Sequence, residues 1–177
     1  MKINVHAGHT KQSGKSCGAG SKKTGIYESI EDRKIKKEVI RLLREKGHTV
    51  YDCTSEGNSM LDNLQRIVSK CNAHKVDLDV SIHLNCYNGY AEGTECWIYS
   101  GTSKAKKSAT VICKNLSKLG FKNRGVKIGP YLYVLKHTVA PALLIECFFC
   151  DSWTDANIYK KKGYKKIAQA IVEGIVK

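Results

Sequence analysis

Two periodicities alternate along the chain, and the points where one gives way to the other mark its elements. Lys2 to Ala7 reads as a first strand, and Gly8 to Thr24 as a polar loop punctuated by Gly14, Gly18 and Gly20. From Ser29 to Lys46, the side chains of Ile35, Val39, Leu42 and Leu43 fall on one helical stripe, with Gly47 as a C-terminal stop. His48 to Cys53 reads as a strand. A second helix is predicted over Ser59–His74, with Asn58 as its N-cap and Leu61, Leu64, Val68 and Cys71 on one face. Leu78–His83 and Thr94–Tyr99 read as strands. Lys104–Leu119 reads as a helix turned inward on Val111, Ile112, Leu116 and Leu119, with Gly120 as its stop. Tyr131–Leu135 and Ala142–Cys147 are two further predicted strands. A short helical piece over Thr154–Lys161 precedes a last helix over Tyr164–Val176.

Strands alternating with helices predict an α/β three-layer sandwich, a twisted and mostly parallel sheet of about six strands flanked by helices. A length of 177 residues, 42% of them apolar, suits one domain over residues 1–177. The opening residues Met1 to His6 lack the apolar core of a signal peptide. No run approaches the roughly 20 apolar residues of a membrane span. The expectation is synthesis in the cytoplasm without a signal peptide, with release by another route before any action outside the cell.

Charge narrows the partners. Thirty Lys and Arg against 16 acidic residues give a formal +14, a balance that suits an anionic partner. Nucleic acid, anionic cell-wall polymer and a merely solvated basic surface all match it. No nucleic-acid recognition motif appears and aromatic-basic clusters are sparse, so nucleic acid is not expected. Eight cysteines without a signal peptide read as reduced thiols rather than a disulfide framework. Cys147 and Cys150 form a C-x-x-C with no second pair at zinc-ribbon spacing, and read as small buried side chains near a strand end.

The reactive residues gather where strands end. His9 follows the first strand, His83 ends Leu78–His83, Glu146 closes in on the end of Ala142–Cys147, and Glu28 opens the first helix. In open α/β sheets ligands collect outside the carboxyl ends of strands, so the topology brings all four to one edge. Two imidazoles and a carboxylate are a common set for catalytic zinc. Such an ion polarises a carbonyl and acidifies water, and a second carboxylate then has protons to move. Taken singly, His9 is an ordinary loop histidine and Glu28 an acidic residue favoured by a helix dipole. Glu146 is harder to set aside, because it follows Ala142-Leu143-Leu144-Ile145, where an unpaired carboxylate is costly. No local H-E-x-x-H or paired C-x-x-C marks a metal, and the residues by themselves leave both readings open.

The motifs in order carry a resemblance. His6-Ala7-Gly8-His9, then Tyr27-Glu28-Ser29-Ile30-Glu31-Asp32-Arg33, then Ser81-Ile82-His83-Leu84-Asn85, then Ala142-Leu143-Leu144-Ile145-Glu146-Cys147 resemble the amidase-3 family of N-acetylmuramoyl-L-alanine amidases. They look closest to clostridial phage endolysin and autolysin catalytic domains, and the likeness runs from Ile3 to about Val176. It implies a single zinc amidase catalytic domain that hydrolyses the amide between the lactyl group of N-acetylmuramic acid and L-alanine, in cell wall lysis or remodelling. It implies one Zn²⁺ per chain held by His9, Glu28 and His83, with Glu146 as the catalytic residue and peptidoglycan as substrate; the charge adds anionic cell-wall polymers as partners. The family's Gly-His pair favours His9 over His6, and the spacing to Gly47 favours Glu28 over Glu31. Asn85 stands to orient His83 or contact substrate. His137, before the last strand, either reaches the groove or is an exposed loop histidine. A non-catalytic wall-binding module and a zinc peptidase acting on the stem peptide are the alternatives. The segment Cys147-Phe148-Phe149-Cys150-Asp151 departs from the family's usual Val-Gly-Phe, which bears on pocket lining more than on chemistry.

Overall fold

A computed structural model describes residues 1–10 and 18–177. Gly14 of the predicted loop and one of the eight cysteines, Cys17, lie outside the described residues. Strands β1 (Lys2–Ala7), β2 (Gly20–Ser21) and β3 (Ile26–Tyr27) lead into helix α1 (Glu28–Glu45). Strand β4 (Thr49–Asp52), helix α2 (Met60–Asn72), β5 (Leu78–Asn85) and β6 (Thr94–Ile98) follow. Then come α3 (Lys106–Ser117), β7 (Asn123–Ile128), α4 (Tyr133–His137), β8 (Ala142–Phe149) and α5 (Trp153–Ile175).

Among the described residues six strands form one sheet in the order β4-β1-β5-β8-β6-β7, and β2 pairs with β3 in a small hairpin. Neighbours in the large sheet run parallel except β6 against β8, which is antiparallel. Helices lie on both faces, giving the α/β sandwich that the alternating pattern predicts.

The two faces differ because side chains alternate along a strand. Ile3 and Val5 of β1, Val80 and Ile82 of β5, Leu143 and Ile145 of β8, and Cys96 and Ile98 of β6 join one apolar cluster with α1, α3 and α5. The intervening positions face α2 and α4, where Ile67, Cys71, Val134, Leu135 and Leu144 form a smaller cluster. That second face carries Asn4, His6, Asp79, Ser81, His83 and Glu95, all buried.

Three expectations change. Tyr131–Leu135 is not a strand: Tyr133–His137 forms the short helix α4, burying the adjacent Val134 and Leu135. The sixth strand is instead Asn123–Ile128, an edge strand with no fully buried residue and hence no apolar run to read. In α2 the cap is Ser59, whose hydroxyl accepts from the Asp62 amide at 3.1 Å, not Asn58. Its buried positions are Asn63, Ile67 and Cys71, while Leu61 is 52% exposed. The two predicted C-terminal helices abut, separated by Gly163 at φ 75°, a left-handed conformation that glycine adopts without strain. Among the described residues no helix is long and apolar enough to cross a membrane.

Candidate active site

His9, Glu28 and His83 converge at the carboxyl edge of the sheet, each offering a donor atom within 4.8 Å of the others. Each is fixed by its own element. His83 lies on β5, in register with Glu146 of β8, so the two side chains share a sheet face. Glu28 opens α1 with its side chain buried. Its Oε1 lies 2.9 Å from His83 Nδ1 and accepts the Leu84 amide at 3.0 Å, and its Oε2 accepts the Ala19 amide at 2.6 Å. His9 follows β1, and its Nε2 stands 3.5 Å from Glu28 Oε2. Arg33 of α1 donates to the His9 carbonyl at 2.6 Å and holds that turn in place. The glycine before His9 has a steric reason: a Cβ on Gly8 would sit 1.7 Å from His83 Cε1.

The remaining imidazole nitrogen of His83, Nε2, lies 3.0 Å from Ser81 Oγ. A partner on one ring nitrogen leaves the other to face Glu28, as ligating histidines are commonly oriented. Ser81 Oγ is also 3.5 Å from His6 Nδ1. His6 itself is fully enclosed, and burial, with the nearby His83, drops its imidazole to about 3, so it stays neutral. His6 is absent from the converging donors, which leaves His9 in that place. Glu31 likewise points elsewhere, to the Tyr159 hydroxyl and to Lys34 Nζ at 2.9 Å.

Electrostatics calls for a cation here. Burial opposes charge on His83, yet hydrogen bonding to Glu28 and the charges of Glu28 and Glu146 win and raise its proton affinity. Burial opposes the Glu28 carboxylate too, but His83, His9 and the Ala19 amide hold it below its ordinary range. Two imidazoles and one carboxylate suit a zinc-class ion, and the donors are close enough to share one. The residues therefore fit such a metal.

Glu146 supplies the fourth group. Its Oε2 is buried and has no hydrogen-bond partner among the described residues. Burial pushes the carboxyl up to about 7, helped by the Glu28 and Glu95 charges and opposed by His83. A carboxyl poised near neutrality with a free oxygen can both take and return a proton.

Glu95 is a residue the sequence reading does not single out. It pairs in register with Glu146 across β6 and β8, completing a row His83–Glu146–Glu95. Arg124 Nε donates to its Oε2 at 2.6 Å, and the Trp97 indole and Asn85 amide donate to its Oε1 at 3.2 and 3.3 Å. The signal was a carboxylate flanked by Thr94 and Cys96 in a strand that buries both faces. Asn85 thus turns to Glu95 and to the Cys86 amide, which donates to its Oδ1 at 2.9 Å, rather than to His83. His137 does not join the site. It ends α4 with its ring against Tyr133, and its carbonyl accepts from Asn72 at the end of α2, near the amino-terminal edge of the sheet.

The N-acetylmuramoyl-L-alanine amidase family model matches residues 3–177. An uncharacterized protein of Clostridium perfringens is 39% identical over 99% of this chain and 51% of its own length. The endolysin of Bacillus phage SPP1 is 32% identical over 97% of this chain and 63% of its own. Among solved structures, the catalytic domain of the CD27L endolysin targeting Clostridia Difficile superposes with a TM-score of 0.88 at 34% identity, covering 99% of this chain and 97% of that one. The chain spans about half the length of the first curated relatives it matches. A family match across almost every residue, on a fold and a sheet edge of this kind, has one reading: the chain belongs to the N-acetylmuramoyl-L-alanine amidase family.

Proposed function

We propose that residues 1–177 form a zinc-dependent catalytic domain that hydrolyses the amide joining the lactyl group of N-acetylmuramic acid to L-alanine in peptidoglycan. The carrying observation is the Oε2 of Glu146, without a hydrogen-bond partner among the described residues and buried across one strand register from His83. His9, Glu28 and His83 would hold the zinc ion, which when bound polarises the scissile carbonyl and offsets the negative charge that develops on its oxygen.

The chain's own groups do the rest. Glu146 takes a proton from the attacking water and returns it to the alanine nitrogen as the C–N bond breaks. Burial raises the proton affinity of this carboxyl, which suits a group that takes up a proton and later gives it back. Ser81 Oγ, 3.0 Å from Nε2, orients the His83 ring and would leave Nδ1 to the ion. Arg124 keeps the Glu95 charge paired, so it does not drive the Glu146 carboxyl still higher.

Mass spectrometry of digested peptidoglycan tests the bond assignment. New L-alanine amino termini on released stem peptides, with the glycan strands left intact, are expected. New reducing sugars, or cleavage only within the stem peptide, would overturn it.

A further inference from the structure

A second group of donors meets beside the proposed catalytic centre and is used by none of the steps above. Asn85 and Phe149 are register partners at the ends of β5 and β8, so the chain leaves both strands side by side at Cys86 and Cys150. The Cys150 amide donates to the Asn85 carbonyl at 2.7 Å, which locks the two exits together. The two sulfurs and a carboxylate oxygen of Asp151 lie within 4.8 Å of one another. Cys150 is fully buried while Cys86 is exposed, so the group opens to solvent on one side.

We propose that Cys86, Cys150 and Asp151 form a second metal site, for a zinc-class divalent cation, distinct from the His9, Glu28 and His83 cluster. Metal–sulfur and metal–oxygen bonds of about 2.3 and 2.1 Å at tetrahedral angles put these donors about 3.6–3.8 Å apart, inside the 4.8 Å within which they lie. Two thiols and a carboxylate select zinc-like ions over calcium or magnesium, which prefer all-oxygen shells. The carboxylate is already oriented: the Gly89 amide donates to Asp151 Oδ2 at 2.7 Å and the Tyr87 amide at 3.2 Å.

On binding, each thiol releases its proton to solvent, and two thiolates, one carboxylate and the dication leave a net charge of −1. A water fills the open side. The ion ties the 86–93 segment, with its exposed Tyr87 and Tyr90, to the turn before α5. It thus braces a rim of the sheet edge where substrate docks, although the site itself does not depend on the hydrolytic reading.

The test is metal content after loading the reduced chain with zinc and dialysing it. Two zinc ions per chain are expected in the wild type and one in Cys86→Ser, whose exposed position leaves the fold intact. Asp151→Asn weakens the same ion. With cobalt in place of zinc, a thiolate-to-cobalt charge-transfer band in the near ultraviolet is expected. It should persist in His83→Ala, which empties the other site, and vanish in Cys86→Ser. A wild type and a Cys86→Ser variant with equal zinc, a cobalt form without the band, or recovery of Cys86 and Cys150 as a disulfide from reduced protein would overturn the proposal.

Discussion

The two faces of the sheet are built to different rules. Toward α1, α3 and α5, each strand contributes Ile, Val, Leu or Cys, and the cluster they form is dry. Toward α2 and α4, the same strands contribute Asn4, His6, Asp79, Ser81, His83, Glu95 and Glu146. Burying charge is costly unless it is paired, so the second face is a standing liability that the first must offset. The difference teaches where stability and chemistry reside: one face holds the chain together, and the other holds groups in protonation states that water would not allow.

The sharpest way to break that division is to remove a donor from the polar face. His83→Ala should cut turnover on the order of 10³-fold or more, because the ion that we propose it helps to hold would be worth several kcal/mol to the transition state. Peptidoglycan turbidity assays read the rate, and an active variant would detach His83 from the chemistry. On the apolar face, Leu143→Ala should destabilise the fold by about 2–5 kcal/mol, because Leu143 is fully buried near the start of β8, between β5 and β6. Urea denaturation measures this, and a loss below about 1 kcal/mol would mean that the face is not the main source of stability.

Asp79 reverses the expected sign. It is buried, accepts from Asn4 Nδ2 at 2.6 Å, and burial pushes its carboxyl up to about 6 from 3.8. A folded-state value above the unfolded one contributes stability below pH 3.8 that is lost as pH rises through 6. Asp79→Asn should therefore stabilise the fold at pH 7 by about 3 kcal/mol at most and bring no such gain below pH 4. Denaturation curves at the two pH values decide it, and a destabilised variant at pH 7 would show the charge to be better paired than its burial implies. The smallest effect belongs to Leu61, which the apolar pattern turns inward and the structure leaves 52% exposed. Leu61→Ala should stay within about 0.5 kcal/mol of wild type, and a larger loss by the same assay would return it to the core.

These contrasts also explain what the sequence reveals. The apolar face is legible because strand and helix periods record burial directly, as in Val80 and Ile82 or in Ile35 and Val39. His9, His83 and Glu146 are legible as strand-end residues, and Glu28 as a helix-opening one, since topology alone brings them to one edge. The polar face misleads the same pattern. Helix α2 covers it with Asn63, whose side-chain amide donates to the Gly8 carbonyl at 3.4 Å, so a reading by hydrophobicity rotates the helix and assigns Leu61 inward. Glu95 is lost for the same reason: its partners Arg124, Trp97 and Asn85 lie on segments that only the fold brings together. The C-x-x-C reads correctly as two small buried side chains near a strand end: Cys147 and Cys150 both join the apolar cluster, and Cys150 also lies near Cys86. Strand β7 and helix α4 escape because an edge strand without buried residues and a five-residue helix both fall short of a readable period.

The division of labour on the polar face reduces to one pair of numbers, zinc content and turnover, taken on the same preparation of Glu146→Gln. Wild-type zinc content with turnover reduced by about 10²–10⁴-fold is expected, because the variant keeps the three donors and loses only the proposed proton carrier. A variant that sheds zinc along with its activity, or one that hydrolyses peptidoglycan at the wild-type rate, would contradict it.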